Sequence, residues 1–402
     1  MRNKVKTLFK MTIAFTILFF LSNSIQAQVI DSTLQSTNSA QRLLGQNQKL
    51  NIGGYAQIDY NQELNSKKFN KGNLDVHRLV LLFGYNYSER LKFITEIEFE
   101  HVKEVYVEQA FAQYKINNYV NLRAGLMLIP MGLINEYHEP PFYHGVERPY
   151  IDSYITPTTW RELGIGFQGN IIEASLKYQM YMVNGFISYD GGAKLNGKYG
   201  FRKGRQKGAE SIINQPNFTG KVEFYGIRSM NIGLSSYIGK TQSTLYDDFA
   251  KDNSNNKAIA DSSIVSLNMI GVDYRYSRKG LQLKAQVYYS KIGNSEAYNM
   301  FTNSDLGSSM LGYYIEASYN VFKPFSNITS GLFPFVRYSY YNTQQSMDGN
   351  ISANPDYSNQ IWTMGLDWKV NSKFVFKADF QTKITKTASQ TNYFNAGVGL
   401  LF

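Results

Sequence analysis

The chain has 402 residues, no cysteine and a formal net charge of +10. The missing cysteines exclude a disulfide scaffold and thiolate metal sites, and the charge is too small to argue for nucleic-acid binding. Tyr (31) and Phe (26) are both unusually frequent, as in proteins that place aromatic bands at two membrane interfaces.

Arg2, Lys4, Lys6 and Lys10 precede an apolar stretch from Met11 to Leu21, followed by small and polar residues to Ala27. This order predicts a signal peptide over 1–27 with cleavage after Ala27; the run is shorter than the ~20 residues that span a bilayer as a helix. Setting its four positive charges aside leaves about +6 for the mature chain, a mild bias. Residues 28–49, rich in Gln, Ser, Asn and Thr, read as a polar periplasmic tail with no core to join.

From Leu50 onward the pattern changes to alternation. Sixteen strands are predicted at about 50–60, 74–87, 91–100, 104–116, 120–129, 162–169, 171–183, 218–227, 230–240, 263–277, 280–292, 310–322, 330–342, 360–370, 372–384 and 391–402. Short turns, such as Asn117-Asn118, Gly169-Asn170 and Val370-Asn371-Ser372, alternate with mostly longer loops, including 130–161 and 184–217. The even count, the alternating loop lengths and the terminal Phe402 predict an all-β fold, a sixteen-stranded antiparallel transmembrane β-barrel spanning 50–402. In the last strand Phe394, Ala396, Val398, Leu400 and Phe402 share one face, and Tyr393, Asn395, Gly397 and Gly399 the other. In 372–384, Phe374, Phe376, Ala378 and Phe380 oppose Lys373, Lys377, Asp379 and Lys383. A polar interior in a barrel of this size predicts a water-filled pore.

Channels select ions by charge at the narrow point. The predicted register turns Arg78, Arg123, Lys177, Lys221, Lys284, Arg337, Lys369, Lys373, Lys377 and Lys383 inward. It also turns in Asp59, Glu96, Glu98, Glu100, Glu173, Glu223, Asp273, Glu316, Asp367 and Asp379. This wall is nearly balanced, and its charges read either as a selectivity lining or as salt-bridge partners that stiffen the barrel. The ladder Glu96, Glu98, Glu100 opposes a uniformly anion-attracting tube. Lys194, Lys198, Arg202, Lys203, Arg205 and Lys207 gather in the 184–217 loop, with no acid between Gly191 and Ala209. They would either concentrate anions at a mouth or meet lipopolysaccharide phosphates and solvent.

The 130–161 loop, third among the outer loops, is stiffened by Pro130, Pro140, Pro141, Pro149 and Pro157 and is rich in aromatics. A loop of this length usually has a task, and folding inward as the constriction is the natural one here. Arg148 and Arg161 would then face the anion, unless Arg148 pairs with Glu147 in a plain external loop. Glu136, His138, Glu139, His144 and Glu147 are metal-ligating types, but their spacing matches no metal signature. No cofactor or metal is expected. No G-x-S-x-G motif occurs, and no serine pairs convincingly with His77 or His101, so enzymatic activity is a minor reading.

Arg123-Ala124-Gly125, then Ile129-Pro130-Met131-Gly132-Leu133, Glu147-Arg148-Pro149 and Arg161-Glu162-Leu163-Gly164 resemble the phosphate-selective porin O and P family. The likeness is strongest over 120–170. It implies a sixteen-stranded barrel, usually trimeric, with an inward third loop and an anion-attracting eyelet, and it places Arg148 and Arg161 at motif positions of the family. Met127 and Met131 stand where polar and aromatic residues are more usual, and the lumenal bases are mostly lysines, which meet phosphate as point charges rather than forks. The expected function is passive diffusion of small hydrophilic solutes, anionic or neutral, with an anion preference that could extend to phosphate. The alternative is a non-transporting barrel serving as an adhesin, structural or assembly protein.

Overall fold

The structure, a computed structural model, describes residues 38–66, 69–247, 250 and 252–402. The signal peptide expected over 1–27 and the first part of the expected tail lie outside the described residues.

Sixteen strands close into one barrel. The first half comprises β1 (Leu50–Glu63), β2 (Asn73–Asn86), β3 (Leu91–Glu100), β4 (Glu104–Lys115), β5 (Asn121–Leu128), β6 (Arg161–Ile171), β7 (Leu176–Val183) and β8 (Asn217–Phe224). The second comprises β9 (Met230–Lys240), β10 (Ser266–Arg278), β11 (Leu281–Gly293), β12 (Ser309–Tyr319), β13 (Gly331–Ser346), β14 (Ser358–Lys369), β15 (Phe374–Thr385) and β16 (Gln390–Leu401). Each pairs antiparallel with its chain neighbours, and β1 closes the ring on β16 from Tyr55 opposite Leu401 to Glu63 opposite Tyr393. The terminal residue completes the seam: the Phe402 amide donates to the Gly54 carbonyl at 2.9 Å, and Gly54 donates back at 3.1 Å. Closure leaves no unpaired edge, which an apolar medium would penalise.

The expected faces are present. In β15, Phe376 and Phe380 are exposed to the outside while Val375, Lys377, Asp379 and Gln381 are buried within. β11 and β12 alternate in the same way. Aromatic rings cluster on the outer surface towards both ends, with Trp368 and Phe376 centred 5.5 Å apart at one and Tyr338 and Trp362 4.8 Å apart at the other. Such rings suit the two interfaces of a bilayer.

Three expectations need correction. The turn expected at Gly169-Asn170 lies further on: β6 runs to Ile171, and a 3₁₀ turn over Ile172–Ala174 with Ser175 left-handed (φ 52°) reverses the chain. Glu173 therefore sits exposed in a turn, accepting from the Tyr119 hydroxyl at 3.0 Å, and does not line the lumen. Lys373 is likewise exposed, in the turn between β14 and β15. The third correction concerns the polar tail. Ser39–Leu44 forms a helix, α1, with Ala40 and Leu43 buried beside Tyr55, Val80 and Leu401. Asn38 caps it by accepting from the Gln41 amide, and Lys92 Nζ donates to the Leu44 carbonyl at 2.6 Å. Two apolar side chains one helical turn apart suffice to dock it, so this part of the tail does join the core.

Two β-bulges alter the inner face. Gln57 pairs with Arg78 but Asp59 pairs with Asp75, so β2 carries one extra residue near His77. Glu96 pairs with Gln109 but Ile97 pairs with Val107, which leaves Glu108 as an extra residue in β4. A bulge breaks the two-residue period and turns successive side chains to one side. Glu108 and Gln109 are accordingly both buried.

Candidate pore constriction

The segment joining β5 to β6 is almost wholly buried. Short helical turns, Leu133–Glu136 and Ile151–Tyr154, leave most of it without secondary structure, so its backbone groups need partners elsewhere. Asn135 ties the two ends together: its amide donates to the carbonyls of Ile129 (2.8 Å) and Trp160 (3.0 Å), and its oxygen accepts from the Trp160 amide (2.8 Å).

Basic side chains of the barrel wall serve the middle of the segment. Lys369 donates to the Pro141 carbonyl at 2.8 Å and Lys284 to the Phe142 carbonyl at 2.7 Å. Lys377 donates to the Tyr143 (2.7 Å) and Gly145 (2.8 Å) carbonyls. Arg337 reaches the His144 (3.0 Å) and Glu147 (3.2 Å) carbonyls while paired to Glu316 at 3.1 Å. Wall acids take the amides: Asp367 accepts from Gly145 at 3.4 Å and Asp379 from Val146 at 2.7 Å. Charge-assisted bonds of this kind are roughly twice as strong as neutral ones. The expectation that these charges either line a selectivity filter or brace the barrel omitted this third use, in which they hold loop backbone.

Glycine makes room for the segment. A β-carbon on Gly399 would lie 2.3 Å from Pro140 Cβ, and Gly145 has φ +78°. The small inner face of the last strand is thus a seat for Pro140.

Around this segment the candidate residues fall into three groups. In the first, Arg78 pairs with Glu98 at 3.2 Å and Arg161 lies 3.6 Å from Glu108. His138 bridges Glu96 at 3.3 Å and Glu108 at 3.5 Å. Burial opposes a charged His138 ring, but the hydrogen bond and charge of Glu96, with the charges of Glu108 and Glu139, lift its pKa to about 9. In the second, Arg123 stands apart, donating to Gln113 at 2.8 Å with its guanidinium 4.2 Å from the centre of the Phe111 ring. In the third, cations of both loops meet. Arg148 donates to the His138 carbonyl at 3.0 Å, and Glu147 accepts instead from Asn61 at 2.8 Å, so the expected Arg148–Glu147 alternative does not form. Arg205 donates to Thr159 Oγ1 at 3.0 Å and to the Thr158 carbonyl. Lys207 and Arg161 flank one ring, 4.4 and 5.8 Å from the centre of Tyr106.

The 184–217 loop reaches this place because it has a core of its own. Phe186 stacks on Trp160 at 4.4 Å and on Phe201 at 5.4 Å, and Leu195 is fully buried. Desolvation lowers the pKa of Arg202, Arg205 and Lys207. For Arg202 the charge of Glu100 opposes this more than positive neighbours add to it, and for Arg205 and Lys207 positive neighbours add to it while Glu100 opposes. Arg205 falls to about 9 and stays charged at neutral pH. Lys194 pairs with Asp190 at 3.1 Å, while Lys198 and Lys203 lie 5.3 and 3.8 Å from the centre of the Tyr199 ring. Among the described residues, no carboxylate lies in ion-pair range of Arg148, Arg202, Arg205 or Lys207. Glu100, opposite Arg78 in the register, is also without an ion pair among them. Sequence reasoning missed Glu108, which the bulge alone turns inward.

A closed sixteen-stranded barrel with a charged, loop-filled interior is the architecture of outer-membrane porins. The chain belongs to the phosphate-selective porin O and P family, whose model matches residues 50–396. A protein of Aquifex aeolicus (strain VF5), itself uncharacterised, is 28 % identical over 371 residues, covering 88 % of this chain and 80 % of that one. The anion-selective porin from Comamonas acidovorans has the same fold, with a TM-score of 0.56 at 12 % identity over 88 % of this chain and 99 % of the other. The trimer form of OmpT from Vibrio cholerae gives 0.53 at 9 % identity, again over 88 % and 99 %. This chain is therefore an outer-membrane porin, and its family and fold are those of a channel.

Proposed function

We propose that this porin passes small hydrophilic solutes with a preference for anions, and that the segment between β5 and β6 is its inward-folded constriction. The observation that carries the reading is the group Arg148, Arg202, Arg205 and Lys207, without carboxylate partners among the described residues, beside acids that are mostly paired. Fixed charge that is not neutralised locally raises the concentration of counter-ions in a narrow passage. Arg78 and Arg161 are held by carboxylates and contribute position more than net field. Phosphate is a candidate solute, bound as a point charge by Lys207 and through planar contacts by the arginines. The working unit is a homotrimer in outer-membrane lipid and lipopolysaccharide, reached after the N-terminal signal peptide is removed.

The test is the reversal potential of purified protein in a planar bilayer under a potassium chloride gradient. The expected value lies towards the chloride limit and moves towards zero when Arg148 and Arg205 are both replaced by Ala. A potential near the potassium limit would overturn the anion preference, and one unchanged in the double variant would remove these residues from the constriction.

A further inference from the structure

Two groups of metal-type donors occur among the described residues. Glu96, Glu108 and His138 form one, but Arg161 already faces Glu108, and His138 lies between the two carboxylates. The other, Asp75, His77 and His101, stands nearer the end of the barrel that carries the long loops, and no arginine or lysine is in ion-pair range of its members among the described residues.

The backbone builds this second group. Asp75 and His77 are two residues apart on β2, and the bulge there frees His77 from the outward position that strict alternation would give it. His101 opens the β3–β4 turn beside His77, donating its amide to the His77 carbonyl at 3.3 Å. His101 and Val102 both have positive φ, 53° and 67°, as the two central residues of a tight hairpin turn require. The two rings meet edge to face with centres 5.5 Å apart, and His101 Nδ1 bonds Asp75 Oδ2. One donor atom from each of the three lies within 4.8 Å of the others, and Asp59 Oδ2 stands 3.8 Å from His77 Nδ1. All three side chains are partly exposed, at 42 % for His101, 26 % for His77 and 21 % for Asp75.

We propose that Asp75, His77 and His101 form a binding site for a divalent transition metal of the zinc class at the outer end of the pore wall. Two imidazoles and one carboxylate are a donor set that zinc takes, with the fourth position left to water. Access from the medium requires no movement of the constriction, because the ligands precede it. Half of the chain's four histidines are committed to this place, and neither the barrel seam nor the loop anchoring uses them. The site does not depend on the anion preference, so either reading can fail without the other.

The experiment counts zinc in folded, detergent-purified protein after loading with zinc alone and dialysis against metal-free buffer. The expected result is about one zinc per chain, reduced roughly tenfold or more by His77→Gln and by His101→Gln. His138→Gln should leave the count unchanged. His101 lies in an exposed turn, so its variant keeps the barrel, and the heat-dependent gel mobility of folded barrels verifies this for each variant. No retained zinc in the unaltered protein would overturn the proposal. So would a count that survives both rim substitutions or is lost with His138.

Discussion

Asp152 is buried in the segment joining β5 to β6, and its charge state bears on how firmly that segment is held. Gln286 Nε2 and Thr156 Oγ1 donate to its Oδ1 at 2.8 and 3.2 Å, whereas Oδ2 accepts no hydrogen bond from the described residues. Burial raises its pKa from 3.8 to about 7, although the two hydrogen bonds and the charges of Arg337 and Arg148 pull the other way. Between these two values the folded protein holds a proton that the unfolded chain has released. Stability from this group is therefore complete below about pH 4 and is lost as the pH rises through about 7, by on the order of a few kcal/mol. Asp152→Asn keeps a neutral side chain at every pH and should flatten that part of the dependence. Melting midpoints of the two proteins measured from pH 4 to 8 check this; parallel curves would mean that Asp152 is charged throughout.

At the scale of elements, α1 is an instructive case because six residues cannot sustain a helix alone. Leu43 is 4 % exposed, the Ser39 amide donates to Glu139 at 2.5 Å, and Arg42 stacks 5.4 Å from the centre of the Phe142 ring. The helix is thus tied to both the wall and the segment joining β5 to β6. Leu43→Ala should cost about 2–5 kcal/mol of docking and expose the bond after Arg42, read as faster tryptic cleavage there with the barrel intact. Unchanged protection would show that the polar ties hold α1 without Leu43. The sequence concealed this docking because its signal is two apolar side chains within a polar stretch. Strands with one apolar face, such as β11 and β15, were legible from alternation, since lipid and lumen demand opposite chemistry every second residue. The inward Arg78, Glu96 and Glu98 followed from that period. Glu108 and His77 did not, because a bulge inserts one residue and leaves no mark in composition. The partners of Lys377 and Arg337 were hidden for another reason: they bond loop carbonyls, which every residue possesses, so no side-chain pattern announces them.

For the whole molecule, selectivity is a difference between fixed charges that salt can hide. The mature chain carries only about +6 by sequence, spread over a large surface, so net charge alone would scarcely bias a pore. The proposed anion preference therefore rests on where the cations without carboxylate partners among the described residues stand. Arg205 and Lys207 are held close to Arg161, and Arg148 lies on the proposed constriction segment itself, while the partners of Arg78 and Arg161 cancel much of their field. A field of this kind reaches about 10 Å at 0.1 M salt but only about 3 Å at 1 M. In a passage wider than the shorter length, the permeability ratio of chloride to potassium should fall towards one as potassium chloride rises from about 0.1 to 1 M. Removing Arg148 and Arg205 should weaken that dependence, because only Arg202 and Lys207 then remain of the four cations without carboxylate partners among the described residues, while Arg78 and Arg161 face Glu98 and Glu108. Reversal potentials at fixed gradient ratio and increasing mean concentration measure both effects. A preference that persists undiminished at 1 M would instead require direct, partly dehydrated contact between anion and cation, in which case the arginines act as binding groups within a narrower eyelet.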